Sequence, residues 1–269
     1  MSSTRLKLHV LGIDWQNDFC RPTGALFVPG ADADAGRMAK FIRRIGPKVD
    51  MFHLTLDSHQ VPHIAHACMW VGKNGQPPPP FTTITVDDVK NGVWRAVKPE
   101  HQPWFENYVQ SLKTNGRYDL MVWPEHCRIG HEGSNIVPEI WDALADWSRT
   151  TLRSVNYVPK GSQPLTEHYS AMQADVQIPQ DPTTKLNANL LRALGMADQL
   201  VITGEASSHC VANTVRDIAS NFSDAEVRKF VILTDLMSPV PIAKKLADDF
   251  LDDMRRRGVT LTTSDKFLI

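Results

Sequence analysis

Leu200-Val201-Ile202-Thr203-Gly204-Glu205-Ala206-Ser207-Ser208-His209-Cys210-Val211-Ala212-Asn213-Thr214-Val215 is the stretch that decides how the chain is read. Leu200 to Ile202 is a short apolar run, the pattern of a buried strand. A turn of small and polar residues follows, and then Val211, Val215 and Ile218 recur at helical spacing. Cys210 therefore falls at a strand-to-helix junction, in or just before the first helical turn. Unpaired backbone N–H groups and the positive end of the helix dipole favour a thiolate at such a place. A lone cysteine is more often a small, inert core residue, so the other strand ends must decide.

Further strands are read at Leu6 to Ile13, Val49 to Leu56, Leu120 to Trp123, Ser154 to Val158, Phe230 to Leu233 and Thr260 to Thr263. Helices are read at Ala33 to Ile45, Trp104 to Leu112, Ile136 to Trp147, Leu186 to Leu194 and Ile242 to Arg256. Strands alternate with helices, and the strands are apolar without alternation. That pattern predicts an α/β protein with a parallel sheet covered on both faces. Ligands in such sheets bind beyond the carboxyl ends of the strands. Those ends carry Asp14, then Asp57 and His59, then Trp123 and His126, then Lys160, then Cys210. The 269 residues are expected to form one domain. Its main irregularity is the stretch of about 70–104, where Gly72, Gly75 and Pro77 to Pro80 suggest a surface excursion stiffened by polyproline conformation.

Composition narrows the function classes. The chain has 29 Lys and Arg against 30 Asp and Glu and no basic tract, which argues against nucleic acid or an anionic membrane as partner. No apolar run approaches the roughly 20 residues needed to span a bilayer. Met1-Ser2-Ser3-Thr4-Arg5 leads directly into a strand pattern with no signal-peptide character. The four cysteines are scattered, with no CxxC pair or disulfide framework. A reducing, cytoplasmic setting is the expectation.

Each polar candidate has an ordinary alternative. Asp14 suits a general base for a thiol, but an aspartate there also caps loops. Asp57 and His59, with His63, His66 and His126, suit a borderline divalent metal such as zinc, although scattered histidines are commonly surface residues. Lys160 reads as a solvated lysine unless it faces Cys210. Phe19, Trp123 and Tyr169 lie beside these residues and suit the walls of a pocket for a flat ligand.

Taken in order, Asp14-Trp-Gln-Asn-Asp-Phe-Cys20, Asp57-Ser-His59, Trp123-Pro-Glu-His126-Cys127, Lys160-Gly161 with Tyr169-Ser-Ala171, and Gly204-Glu-Ala-Ser-Ser-His-Cys210-Val211 carry a resemblance. The chain resembles the nicotinamidase/isochorismatase-like superfamily of cysteine hydrolases, and within it most of all the nicotinamidases. The resemblance implies a three-layer α/β/α fold on a six-stranded, mainly parallel, Rossmann-like sheet. It implies Cys210 as nucleophile, Asp14 as base and Lys160 as cationic partner, with the backbone N–H groups of Ala206 and Cys210 as oxyanion hole and a cis Glu205–Ala206 peptide. It places one divalent metal, zinc with manganese or iron as alternatives, on Asp57, His59 and His126. Phe19, Trp123 and Tyr169 match the pocket aromatics, and a homo-oligomer is implied.

Ser207-Ser208 departs from the family's usual Thr-Asp, and Met172 stands where Phe is common. The insertion near residue 72 is longer than in small nicotinamidases.

The implied reaction is hydrolysis of a small-molecule amide, foremost nicotinamide, through a Cys thioester. A related hydrolase for another amide or carbamoyl compound is the alternative, followed by a non-catalytic binding protein on the same scaffold. A free thiol of pKa about 8.5 is only a few per cent ionised at neutrality. A helix N-terminus contributes at most ~2 kcal/mol. On this reasoning a buried Lys160 is the term expected to make Cys210 reactive.

Overall fold

The computed structural model describes residues 6–116 and 118–268. Met1–Arg5, read above as leading into the first strand, lie outside the described residues. The elements in chain order are β1 (Leu8–Ile13), α1 (Asn17–Cys20), α2 (Ala31–Ile45), β2 (Met51–Asp57), β3 (Trp70–Gly72), β4 (Thr83–Ile84), α3 (Val86–Lys90), β5 (Trp94–Ala96), α4 (Gln102–Thr114) and β6 (Leu120–Met121). They continue with α5 (Pro138–Thr151), β7 (Asn156–Lys160), α6 (Ala188–Gly195), β8 (Gln199–Gly204), α7 (Cys210–Ser220), α8 (Asp224–Val227), β9 (Phe230–Leu233), α9 (Lys244–Arg256) and β10 (Thr260–Thr262).

Six strands form one parallel sheet in the order β10-β9-β8-β1-β2-β7, as the α/β reading predicts. Successive residues of a strand point to opposite faces, and the two cores divide accordingly. Val10 and Val201 join Met38, Phe41 and Ile42 of α2 and Ile140, Leu144 and Trp147 of α5 on one face. Leu11 and Ile202 join Val211, Val215 and Ile218 of α7 and Phe250 and Met254 of α9 on the other. The strand order reverses direction at β1, between β8 and β2, so the crevice beyond the carboxyl ends of β1 and β8 is where a ligand is expected.

Two readings of the sequence need correction. Leu120 to Trp123 does not join the main sheet. Only Leu120 and Met121 are strand, paired antiparallel with β4, and the Val122 backbone is taken by Thr82 and Phe81. The stretch of about 70–104 is more than a surface excursion stiffened by polyproline conformation. β3 pairs with β5, and α3 is fixed by a reciprocal capping box between Thr85 and Asp88. Trp70, Ile84, Val86 and Val89 are buried with Phe105, Tyr108 and Val122 in a third core. Its elements span two to five residues, too short for hydrophobic periodicity to register.

The fourth strand runs further than expected, through Pro159 to Lys160. A proline is tolerated there because β7 is the edge strand. Among the described residues no helix is long and apolar enough to cross a membrane.

Candidate active site

The opening motif acts first as scaffold. Gln16 brackets the Asp57 peptide, its Oε1 accepting from Asp57 N–H and its Nε2 donating to Asp57 C=O, both at 2.7 Å. Asp18 accepts from the Cys127 N–H at 2.7 Å and so ties down the loop that carries His126. Asp14, directly after β1, is fully buried and has a positive φ of 51°. Its Oδ1 accepts from the Thr55 hydroxyl at 2.5 Å.

Lys160 is paired with Asp57 in the β2–β7 register, so both side chains reach the same point. Lys160 Nζ lies 3.0 Å from Asp14 Oδ2, 3.1 Å from Asp57 Oδ1, 2.9 Å from the His168 carbonyl and 3.7 Å from Cys210 Sγ. Cys210 is the first residue of α7. The structure thus brings together Asp14, Lys160 and Cys210 from the ends of three different strands.

The charges are strongly perturbed. Burial alone would discharge Lys160, but Asp14 and Asp57, with Cys210, hold its pKa well above the ordinary lysine value. Burial raises Asp14, and Lys160 only partly offsets this. Burial also pushes the Cys210 thiol well up; Lys160 pulls it down, while Asp14 and Asp57 push it up again. One cation faces two carboxylates, so the resting sulfur keeps its proton, and Asp14 is the adjacent base able to remove it.

Beside this trio, Asp57 Oδ2 lies 2.9 Å from His59 Nε2 and 3.3 Å from His126 Nε2. The Nδ1 atoms of His59 and His126 face the carbonyls of Gly161 and Pro124 at 3.1 and 2.8 Å. A carbonyl can only accept, so Nδ1 carries a proton, and Nε2 is the nitrogen that either holds the second proton against Asp57 or, deprotonated, would offer its lone pair to a cation. Asp57, His59 and His126 present ligand atoms that all lie within 4.8 Å of one another.

His66 is built the same way, with Nδ1 bonded to the Val61 carbonyl at 3.0 Å and a buried, unpartnered Nε2. His63 is not, because Nε2 faces the Thr166 carbonyl and Nδ1 accepts from the Ala65 N–H. Burial opposes a charge on His59, but Asp57 and Glu167 outweigh it and raise its pKa to about 9. A site that draws a proton onto a fully buried imidazole is one that suits a cation, and the mixed carboxylate–imidazole donor set fits a divalent metal.

A small cavity of about 30 Å³ adjoins both groups, lined by Phe19, Trp123, Tyr169, His126, Ala206 and Cys210 among others. Phe19 meets His126 edge-on at 5.4 Å, and Trp123 Nε1 donates to the Tyr169 hydroxyl at 2.8 Å. The Glu205–Ala206 peptide is cis, and Ala206 stands just ahead of α7, whose first N–H groups lack intrahelical partners. Ser207 and Ser208 are buried and bonded to the 238–240 loop, so the departure from Thr-Asp falls behind the cavity wall.

The sequence reading missed Glu167, 3.9 Å from His59, and His209, whose ring packs against Trp123 and Tyr169. Neither follows a predicted strand end directly. The Pro-rich segment also reaches the site, through Phe81 set edge-on to Trp123 at 5.9 Å.

The sheet order and the helices on both of its faces match an isochorismatase-like α/β fold. The particular proteins it is similar to are nicotinamidases and pyrazinamidases. The nicotinamidase of Saccharomyces cerevisiae is 22% identical over 250 residues, covering 93% of this chain and 96% of the relative. The crystal structure of the yeast nicotinamidase bound to the inhibitor nicotinaldehyde superposes with a TM-score of 0.64 at 19% identity, covering 95% of this chain and 99% of that one. The pyrazinamidase of Pyrococcus horikoshii in complex with zinc gives a TM-score of 0.56 at 20% identity, covering 96% and 99%. No protein-family profile matches the chain.

Proposed function

We propose that the protein is a cysteine amidohydrolase that converts nicotinamide and water to nicotinate and ammonia. The observation that carries this reading is the buried Lys160 ammonium, within 3.0 Å of Asp14 and 3.7 Å of Cys210 at the edge of an aromatic-walled cavity. The likeness to nicotinamidases in sequence and fold supports the choice of substrate.

In this scheme the carboxamide enters beside Phe19, Trp123 and Tyr169. Asp14 takes the proton of Cys210, and Sγ attacks the carboxamide carbon. The Ala206 and Cys210 N–H groups receive the charge that develops on oxygen, each donor typically worth ~3 kcal/mol. The C–N bond breaks as Asp14 returns its proton to the leaving nitrogen, and ammonia departs. Asp14 then deprotonates a water that attacks the thioester carbon; the C–S bond breaks as Asp14 returns that proton to sulfur, and the acid product gives its remaining proton to the released ammonia. Lys160 holds Asp14 in place and balances its charge throughout. Asp57, His59 and His126, with His66 as a fourth donor, would hold a divalent ion, zinc in this reading, which supplies a Lewis-acid anchor for the ring nitrogen or a water.

Ammonia release from nicotinamide is the direct test. Cys210→Ala should abolish it while bound-metal content stays unchanged. Retained turnover in Cys210→Ala would overturn the nucleophile, and release only from other amides would overturn the substrate.

A further inference from the structure

The cis turn that carries Ala206 is held by polar groups that take no part in the scheme above. Glu205 is fully buried, and its Oε2 accepts from the Ser238 N–H at 3.0 Å. Its Oε1 is buried with no hydrogen bond of its own. Asp34, on the first turn of α2 and almost fully buried, accepts from the Ser238 hydroxyl at 2.6 Å and pairs with Arg37. The Ser238 carbonyl accepts from the Ser207 N–H at 2.9 Å. Ser238 therefore joins three points at once: Asp34 on the helix, Glu205 before Ala206, and Ser207 after it. The outer bonds of the turn run from Gly204 N–H to the Leu236 carbonyl and from Glu205 N–H to the Ile13 carbonyl, both at 2.9 Å.

Two buried carboxyl groups share this pocket with one cation, Arg37, whose side chain is 44% exposed. Asp34 is engaged at both oxygens, Oδ1 by Arg37 and Oδ2 by the Ser238 hydroxyl, whereas Glu205 meets only the Ser238 N–H, so burial favours the neutral, protonated form of Glu205. We propose that Glu205, Asp34 and Ser238 form a clamp that sets the position of the Ala206 N–H, making Glu205 and Asp34 positioning residues for the oxyanion step. The assignment of that step rests on the amidohydrolase reading; the clamp itself rests on the contacts just given.

The electrostatics agree with the geometry. Burial, and then Asp34, push the Glu205 carboxyl well above its ordinary range, with Arg37 pulling weakly the other way. Cys20 of α1 is a further titratable group that feels Glu205. The folded protein thus holds a proton that the unfolded chain releases above the ordinary glutamate pKa. Stability must then fall as pH rises from that value toward the folded-state value.

The test compares Glu205→Gln, whose amide keeps both a donor and an acceptor, with Glu205→Leu, which fills the space without either. Glu205→Leu should lose about 10- to 100-fold in kcat for nicotinamide with little change in KM, as when an oxyanion donor is displaced. Glu205→Gln should stay within about threefold of wild type. Hydrogen exchange in residues 204–210 should quicken in Glu205→Leu and not in Glu205→Gln. The decline of Tm with rising pH should flatten in Glu205→Gln, and in Asp34→Asn should Glu205→Leu fail to fold.

If the wild type does not hydrolyse nicotinamide, the amidohydrolase reading falls, and the exchange and Tm measurements still judge the clamp. Unchanged exchange in Glu205→Leu, or a pH decline of Tm that persists in both Glu205→Gln and Asp34→Asn, would overturn it.

Discussion

Replacing Lys160 by methionine probes the electrostatic centre of the site. The ammonium stands 3.0 Å from Asp14 and 3.1 Å from Asp57, and all three side chains are withdrawn from solvent. The substitution leaves two buried carboxylates facing a thioether and removes the donor to the His168 carbonyl. Deleting one partner of a buried pair costs about 3–5 kcal/mol, far more than a surface ion pair contributes. The loss should be largest at pH 7 and smaller at pH 5.

In the wild type Asp57 is held well below its ordinary value by His59 and Lys160 acting against burial. Its contribution to stability is therefore complete above about pH 4 and is lost only as pH falls below that. In Lys160→Met Asp57 keeps His59 beside it, but Asp14 loses the cation that offsets its burial and is raised further. The folded state then binds a proton that the unfolded chain does not, so the variant gains stability as pH falls from 7 to 5. Urea unfolding at both pH values, with chelator present so that Asp57 faces only protein groups, measures the difference. A loss below about 1 kcal/mol at pH 7, or one that is no smaller at pH 5, would refute the reasoning.

Three other outcomes follow from the same geometry. His66→Ala should weaken metal binding by about tenfold or more, whereas His63→Ala should leave the stoichiometry at saturation unchanged; metal titration of both variants checks this. His53 lies wholly buried between His9 and Asn156, and burial, with His9, lowers its pKa to about 4. The unfolded chain therefore takes up a proton below about pH 6.5 that the folded state refuses. Stability should fall by up to about 3 kcal/mol between there and pH 4, a decline that acid titration should find flattened in His53→Gln. Phe81→Ala should raise KM for the amide by a few-fold with little effect on kcat, since the ring supports Trp123 and touches none of the reacting groups.

What was legible in the sequence was whatever follows a long buried strand. Asp14, Asp57 and Cys210 each follow or end a strand whose apolar run fixes the point where the chain leaves the core, Lys160 ends the shorter edge strand β7, and the structure brings these four into one cluster. Trp123 and His126 were found as residues but given the wrong support, because Leu120 to Trp123 has the apolar character of a sheet strand while its backbone pairs elsewhere. Glu167 lies in an irregular stretch between β7 and α6, where neither period 2 nor period 3.6 marks which side chain turns inward. The role of residues 70–104 was hidden for a related reason. Their core is assembled from tertiary contacts with α4 rather than from any local pattern.

The pairing of Asp57 with Lys160 across β2 and β7 has a consequence for how the protein would fail. β7 is held on one side only, at the margin of the sheet. It delivers the lysine that serves Asp14 and Cys210, and the next residue, Gly161, supplies the carbonyl that orients His59. Peeling back this one strand would disconnect the sulfur chemistry and the imidazole cluster in a single event, well before the central strands give way. Inactivation by mild heat should therefore behave as one cooperative step in which both halves of the site are lost together.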